Sequence, residues 1–308
     1  METDKTEENF DWACAIRNPW IRQYNEEFVK LGRDLLEEVV DCLHIGSLSR
    51  KVFESRTVKA GEIIRYDKDK DRSAYVVCEN GEAEERKEGC YVYPPEFEIT
   101  AYPHFSDKIR ATIFESRPSI TNEDIVKEIK NAQEKALCSI QTQEDTALIK
   151  LLKKAGEQNA SITKNPYDIF RSIIYEVERH RLICDKILLN RKDVQFIKDN
   201  RDKFKDNLDL GLDLFAPTIE KELKSAGYVG KYNASLLITT PDYMKEDSVP
   251  EGELIAVSSP PYLGGMPIRV APFSEPCSDD KGYGWFWYQL MSMVLINTNA
   301  VALGKIAY

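Results

Sequence analysis

Histidine is scarce in this chain, with three in 308 residues: His44, His104 and His180. The seven cysteines (14, 42, 78, 90, 138, 184, 277) are odd in number, never closer than twelve apart, and form no CxxC pair. Zinc sites need closely spaced Cys or His ligands, so the scatter argues for reduced, mostly structural thiols. No run of eighteen apolar residues occurs, which excludes a helical membrane span. Residues 1–10 are acidic and lack the basic-then-apolar order of a signal peptide, so folding in the cytosol is expected. There is no P-loop, GxGxxG, GxSxG or HExxH. Gly227–Gly230 and Gly264–Gly265 are too short to cradle a phosphate. A net charge of −10 argues against tight nucleic-acid binding by the protein as a whole. Nucleotide, metal and hydrolase chemistry therefore has no motif to stand on, and no cofactor or metal site is expected.

What is present describes a globular protein, 42% hydrophobic and 31% charged, long enough for two or three compact units. The dominant stretch is Thr121–Ala155. Thr121 can cap it, Pro118 stops any earlier helix, and Ile125, Ile129, Ala132, Ala136, Ile140, Leu148, Leu151, Leu152 and Ala155 recur at helical spacing. Such a helix is about 50 Å long. Ser139, Gln141, Gln143, Glu144 and Asp145 interrupt its stripe, which predicts a helix lying across a surface.

Residues 1–45 carry eleven acids against five bases. Phe10, Trp12, Ile16, Trp20 and Ile21 lack clear periodicity, whereas Phe28, Leu31, Leu35, Val39 and Leu43 form a helical face. This suits an extended arm that docks on partners and an N-terminal helix pair equally. Short strands are then predicted at 52–58, 62–66, 74–78, 90–93, 97–102 and 110–114. The charge runs Asp67–Arg72 and Glu82–Glu88 between them read as solvated tips, with Asn80-Gly81 as a turn signal. The Asp67/Asp69/Asp71 alternation is a weak metal pattern, because Lys68 and Lys70 interleave. So little apolar burial is expected there that removing Asp67–Gly89 should leave the body folded.

Residues 158–165 read as a loop. A helix at 167–182 turns Ile169, Phe170, Ile173, Ile174 and Val177 inward, with Glu176, Glu178, Arg179, His180 and Arg181 as a solvated face. Next come a strand at 186–189, a helix at 191–200 capped by Asn190, and a helix from Pro217 to Gly227. Strands follow at 235–239, 253–257 and 266–271, an alternation that makes this part mixed α/β. Residues 285–296 are apolar on both faces and predict a central, doubly covered strand. Asn297–Asn299 then turns the chain into a last strand at 301–306.

Taken in order, these pieces resemble the major capsid proteins of tailed bacteriophages, the Hong Kong 97-type fold. The matching stretches are Pro118–Ile125 leading into the long helix, Asp185–Asn190, and Glu222–Gly230 before Leu236–Thr240. Val249–Val257, Leu263–Pro272 and Asn297–Ala302 complete the set, which covers about residues 45–308. The resemblance implies an α+β chain with an N-terminal arm (1–45) and an extended β-loop with flanking peripheral strands (46–117). The spine helix and peripheral helix (118–185), an axial domain (186–262) and return strands of the peripheral domain (263–308) follow. The arm is too short for the scaffolding domain that many relatives carry, and Asn233-Ala234 stands where relatives often have a Gly-small pair.

The function implied is a structural one, a shell subunit with no catalytic residues that self-assembles into hexamers and pentamers around double-stranded DNA. Its expected location is a virion assembled in host cytoplasm, away from membranes. A separate scaffolding protein, a portal and decoration proteins would be its further partners. Trp12, Trp20, Phe28, Lys68, Lys70, Arg72 and Lys87 are the expected intersubunit contacts. Two alternatives stand beside it: an encapsulin-like cellular shell, and a thiol enzyme built on Cys184 and His180.

Overall fold

A computed structural model describes residues 46–59, 62, 64–66, 73–86, 90–92, 97–102, 122–163, 165–210, 227–241, 244, 248–279 and 282–306, with Arg33, Asp34, Cys42 and Leu43. In chain order its elements are α1 (Leu48–Val52), β1 (Glu54–Thr57), β2 (Ile64–Tyr66), β3 (Ala74–Val77), β4 (Ala83–Arg86), β5 (Cys90–Val92), β6 (Phe97–Ala101) and α2 (Asn122–Gly156). There follow β7 (Ala160–Thr163), α3 (Ile169–Glu178), β8 (Cys184–Leu189), α4 (Arg191–Asp199), β9 (Leu208–Asp209), β10 (Tyr228–Tyr232), β11 (Ser235–Thr239) and β12 (Glu253–Ser258). The last are α5 (Pro260–Leu263), β13 (Gly264–Asp279), β14 (Gly282–Met291), β15 (Val294–Leu295) and β16 (Val301–Ile306). The expected strand at 110–114 and the helix from Pro217 lie outside the described residues.

These elements form two compact units. The smaller takes in 100–102, 122–137, 272–279 and 282–288; the larger takes in the described residues of 42–99, 138–271 and 289–306. In the smaller unit Ala132 and Ala136 are buried along α2, and Trp285 and Trp287 are each 1% exposed. Phe286 and Tyr288 alternate with them, half-buried, with ring centroids 5.9 Å apart and planes tilted by 33°. One face of β14 is therefore covered fully and the other only partly. The strand expected to be doubly covered also breaks at Ser292-Met293, so β14 and β15 are separate pieces.

The larger unit holds a seven-stranded sheet in the order β7-β16-β12-β8-β11-β10-β9. β8 lies at its centre, parallel to β11 and antiparallel to β12, and Ile187, Leu188 and Leu189 are fully buried. Near-continuous apolar runs are what a strand covered on both faces requires. α3 packs on this sheet through the five apolar residues expected, all buried. It comes so close to β16 that a Cβ on Gly304 would overlap the side chains of Ile169 and Ile173. Residues 160–163, read as loop, are a strand: β7 runs parallel to β16, with Ala160 beside Leu303. Four residues with Ser and Thr give no periodic signal, and the pairing partner lies far along the chain.

In a second sheet β3 pairs with β4 and with β15, β15 pairs with the start of β13, and β1 runs parallel to β13. Here the expected solvated tip is corrected. Glu82–Arg86 belongs to the β3–β4 hairpin, turned at Asn80-Gly81, where Gly81 has φ +74°. Ala74, Tyr75, Val76, Val77 and Ala83 are all buried. Lys150 of α2 reaches Glu82 at 2.6 Å, and Lys154 donates to the carbonyl of Ala83 at 2.6 Å. Removing Asp67–Gly89 would thus delete a buried strand, not a loose tip.

Candidate assembly surfaces and a buried ionic latch

The C-terminal half of α2 is buried on most of its circumference, contrary to a helix lying across a surface. Ala147, Leu148, Ile149, Leu151, Leu152 and Ala155 are each at most 2% exposed. Glu144 and Asp145, the residues that interrupt the apolar stripe, are themselves fully buried. A charge so placed must be paired and hydrogen-bonded, because desolvating it otherwise costs several kcal/mol, on the order of the whole net stability.

Both charges are met by the segment that enters α1. Asp145 accepts the backbone N–H of Leu48 at 3.0 Å and of Ser49 at 2.8 Å, and the Ser47 hydroxyl at 3.0 Å. Those N–H groups are orphans of the first turn of α1, and Ser47 does not cap them itself. Glu144 takes Arg50 in a forked pair, from Nη2 at 2.8 Å and Nε at 3.2 Å. It also accepts from Ser47 and Ser49, and from Gln289 Nε2 at 2.9 Å. The Gln289 carbonyl oxygen in turn accepts from Arg50 Nη2 at 3.2 Å, so the three side chains close a ring.

Burial alone would raise the Glu144 carboxyl. The Arg50 guanidinium, by charge and hydrogen bond, together with Gln289 and Ser47, outweighs burial and holds it below its ordinary value. Lys51, beside them, is pushed down to about 8 by burial, against the pull of Asp145, and donates to the Gly46 carbonyl at 3.1 Å. The cluster binds three distant segments (46–51, 141–145 and 289) of one unit. It is a structural latch, closed to solvent and to substrate.

The seven expected contact residues, Trp12, Trp20, Phe28, Lys68, Lys70, Arg72 and Lys87, lie outside the described residues, as does the Asp67/Asp69/Asp71 alternation. Among the described residues of the larger unit the exposed large apolar side chains are Ile162, Tyr175, Ile183, Leu236 and Tyr262. Ile162 and Tyr262 stand alone in polar or turn-rich stretches, whereas Tyr175, Ile183 and Leu236 lie within apolar runs whose neighbours are buried, so local pattern did not mark them as exposed. Ser258 donates to the carbonyl of Ile183 at 2.9 Å, which ties the end of β12 to the residue before β8.

Cys184 opens β8 buried, at 2% exposure, and its thiol faces the Lys186 carbonyl at 3.8 Å. Burial pushes it up to about 11, only partly opposed by Ser235. A buried, protonated thiol is a poor nucleophile. His180 sits in the turn after α3, where its Nε2 accepts from Arg179 at 3.3 Å. No helix among the described residues is long and apolar enough to cross a membrane.

No protein-family model matches the sequence, and no curated protein matches it. Solved structures do match. The virus-like particle from Pyrococcus furiosus aligns with a TM-score of 0.50 at 13% identity, over 91% of this chain and 100% of the other. A prophage capsid protein from E. coli CFT073 gives 0.50 at 12% identity, over 91% and 99%. The holo-SrpI encapsulin of Synechococcus elongatus PCC 7942 gives 0.50 at 12%, over 83% and 85%. The chain has the α+β Hong Kong 97-type capsid fold.

Proposed function

We propose that the chain is a shell subunit, the major capsid protein of a tailed phage, which self-assembles into hexamers and pentamers enclosing double-stranded DNA. The observation that carries this reading is the near end-to-end match in fold to a virus-like particle and a prophage capsid protein. The net charge of −10 suits a wall that holds DNA without gripping it.

The domain roles carry over in the same spirit. Residues 1–45 would act as an arm, 46–117 would supply an extended β-loop with flanking peripheral strands, 118–185 the spine and peripheral helix, 186–262 an axial domain, and 263–308 the return strands of the periphery. Trp12, Trp20, Phe28, Lys68, Lys70, Arg72 and Lys87 would make the intersubunit contacts. A scaffolding protein, a portal and decoration proteins would be separate partners, and assembly would take place in host cytoplasm.

A second reading, an encapsulin-like compartment, is favoured by the match to the holo-SrpI encapsulin. Electron microscopy of the purified chain tests both, since each requires closed particles. Their content separates them: nucleic acid for the phage head, an enzyme for the compartment. A stable monomer of 35.4 kDa at high concentration would overturn both.

A further inference from the structure

β2 and β5 form a two-stranded antiparallel ribbon of their own, with Tyr66 opposite Cys90. A ribbon of two strands is marginal in water and needs a surface to pack on. Here the surface belongs to the same, larger unit. Tyr66 packs on the cluster of Ala74, Val76 and Val294, all buried in the second sheet. Its ring also covers Gly265 of β13. A Cβ on that glycine would stand 2.6 Å from the phenol oxygen and 3.2 Å from two ring carbons, so the nearest atoms it would meet all belong to Tyr66.

The seat follows from the register of the sheet. Gly265 lies beside Glu54 of β1 and Val294 of β15, and Val294 lies beside Val76 of β3. Residues opposite one another in a sheet share a face, so the missing side chain at Gly265 leaves a gap in this row that the Tyr66 ring fills. Burial pushes the phenol above its ordinary value, opposed by Arg56 and assisted by Glu54, both of β1. Arg56 also pairs at 2.8 Å with Glu62, just before β2, but its side chain is 62% exposed. Ion pairs of that kind contribute little, so the packing of Tyr66 is the stronger tie.

We propose that Tyr66, seated over Gly265, is the pin that fixes the β2–β5 ribbon on the second sheet and orients it for contact with a second copy of this chain. The orienting half of the proposal rests on the shell reading, in which Lys68, Lys70 and Arg72, shortly after Tyr66, and Lys87, shortly before β5, meet a neighbour. Tyr66 is then a positioning residue: it makes no contact across the interface itself, but sets where the ribbon that leads into those residues lies.

Gly265→Ala is the sharpest test, because Gly265 is not in the left-handed region and the added methyl meets the movable end of one side chain. Hydrogen exchange read by mass spectrometry on the full chain follows the ribbon, and sedimentation follows closed particles. In Gly265→Ala and in Tyr66→Ala the amides of 64–66 and 90–92 should exchange about tenfold faster, with β8 and β12 at the parent rate. Particle yield should fall in both, whereas Tyr66→Phe, which keeps the ring, should match the parent in both readouts. The double variant should be no worse than Tyr66→Ala alone, because the methyl then has no ring to displace. Parent exchange of the ribbon in Gly265→Ala, or additive losses in the double variant, would overturn the pin. Faster exchange with parent particle yield would overturn its orienting role. Should Gly265→Ala fail to fold, the contrast between Tyr66→Ala and Tyr66→Phe decides. A parent chain that forms no particles at all would instead remove the shell reading and the orienting role with it, while the exchange rates still decide the pin.

Discussion

Glu144 shows what one side chain does when three distant segments depend on it. Glu144→Gln keeps the shape of the latch but leaves the Arg50 guanidinium, 2% exposed, without its counter-charge. Breaking a buried pair from one side costs roughly 3–5 kcal/mol, which urea denaturation at neutral pH would read. The pH dependence follows from the sign of the shift. A carboxyl held below its ordinary value adds stability above that value, 4.5, and loses it as pH falls through the folded-state value. The wild type should therefore lose more stability than Glu144→Gln as pH falls from neutral through the folded-state value of that carboxyl. Parallel loss in both proteins would remove Glu144 from the account. At Cys184 the expectation is the reverse: Cys184→Ser should leave particles intact, and a turnover erased by that substitution would sink the structural role. Trp287, 1% exposed, is the costly residue of the smaller unit. Trp287→Ala should cost about 3–5 kcal/mol and cut the soluble yield sharply.

The latch also marks where sequence reading stops. Polar residues on a long helix read as solvated, because on most helices they are. Nothing near Glu144 announces that Arg50 and Gln289 will reach it, and local spacing carries no trace of such partners. The burial of Cys184 was legible in part, from the apolar strand expected just after it at 186–189.

Among elements, those with their own periodicity or caps were legible. α2 was expected to within a residue or two of its bounds, α3 by its inward face, and α4 by Asn190, whose side chain accepts from Lys192 N–H. What escaped was defined by pairing instead: β7 alongside β16, and β4, whose charges hid the second strand of the hairpin that the expected strand at 74–78 and the Asn80-Gly81 turn begin. The hairpin yields a corrected expectation. A deletion confined to 67–72 spares β3, whereas one through Gly89 removes it; only the longer should lose the cooperative melt. A melt equally preserved in both would contradict the burial of Val76 and Val77. Gly304→Ala tests the other sheet, where the added methyl must push Ile169 and Ile173 away. Overpacking of that kind costs typically about 1–3 kcal/mol, read as a lower denaturation midpoint.

At the scale of the whole molecule, a shell subunit works through many weak contacts repeated by symmetry. A single exposed residue such as Ile183 should then be dispensable for folding and consequential for assembly. Ile183→Asp is expected to leave the monomer's circular dichroism and melting unchanged while reducing the yield of closed particles in sedimentation. Normal particles from that variant would take this part of the surface out of the interface.

One consequence of the sheet order concerns time. β16 is made last, yet it stands between β7 and β12, and Gln289 is needed to close the ring around Glu144. Likewise β1 waits for β13, with Ser55 beside Met266. During synthesis, at about 5–20 residues per second, the larger unit must stay incomplete until β16 has left the ribosome. A shell subunit so built would not meet its neighbours before that strand had emerged.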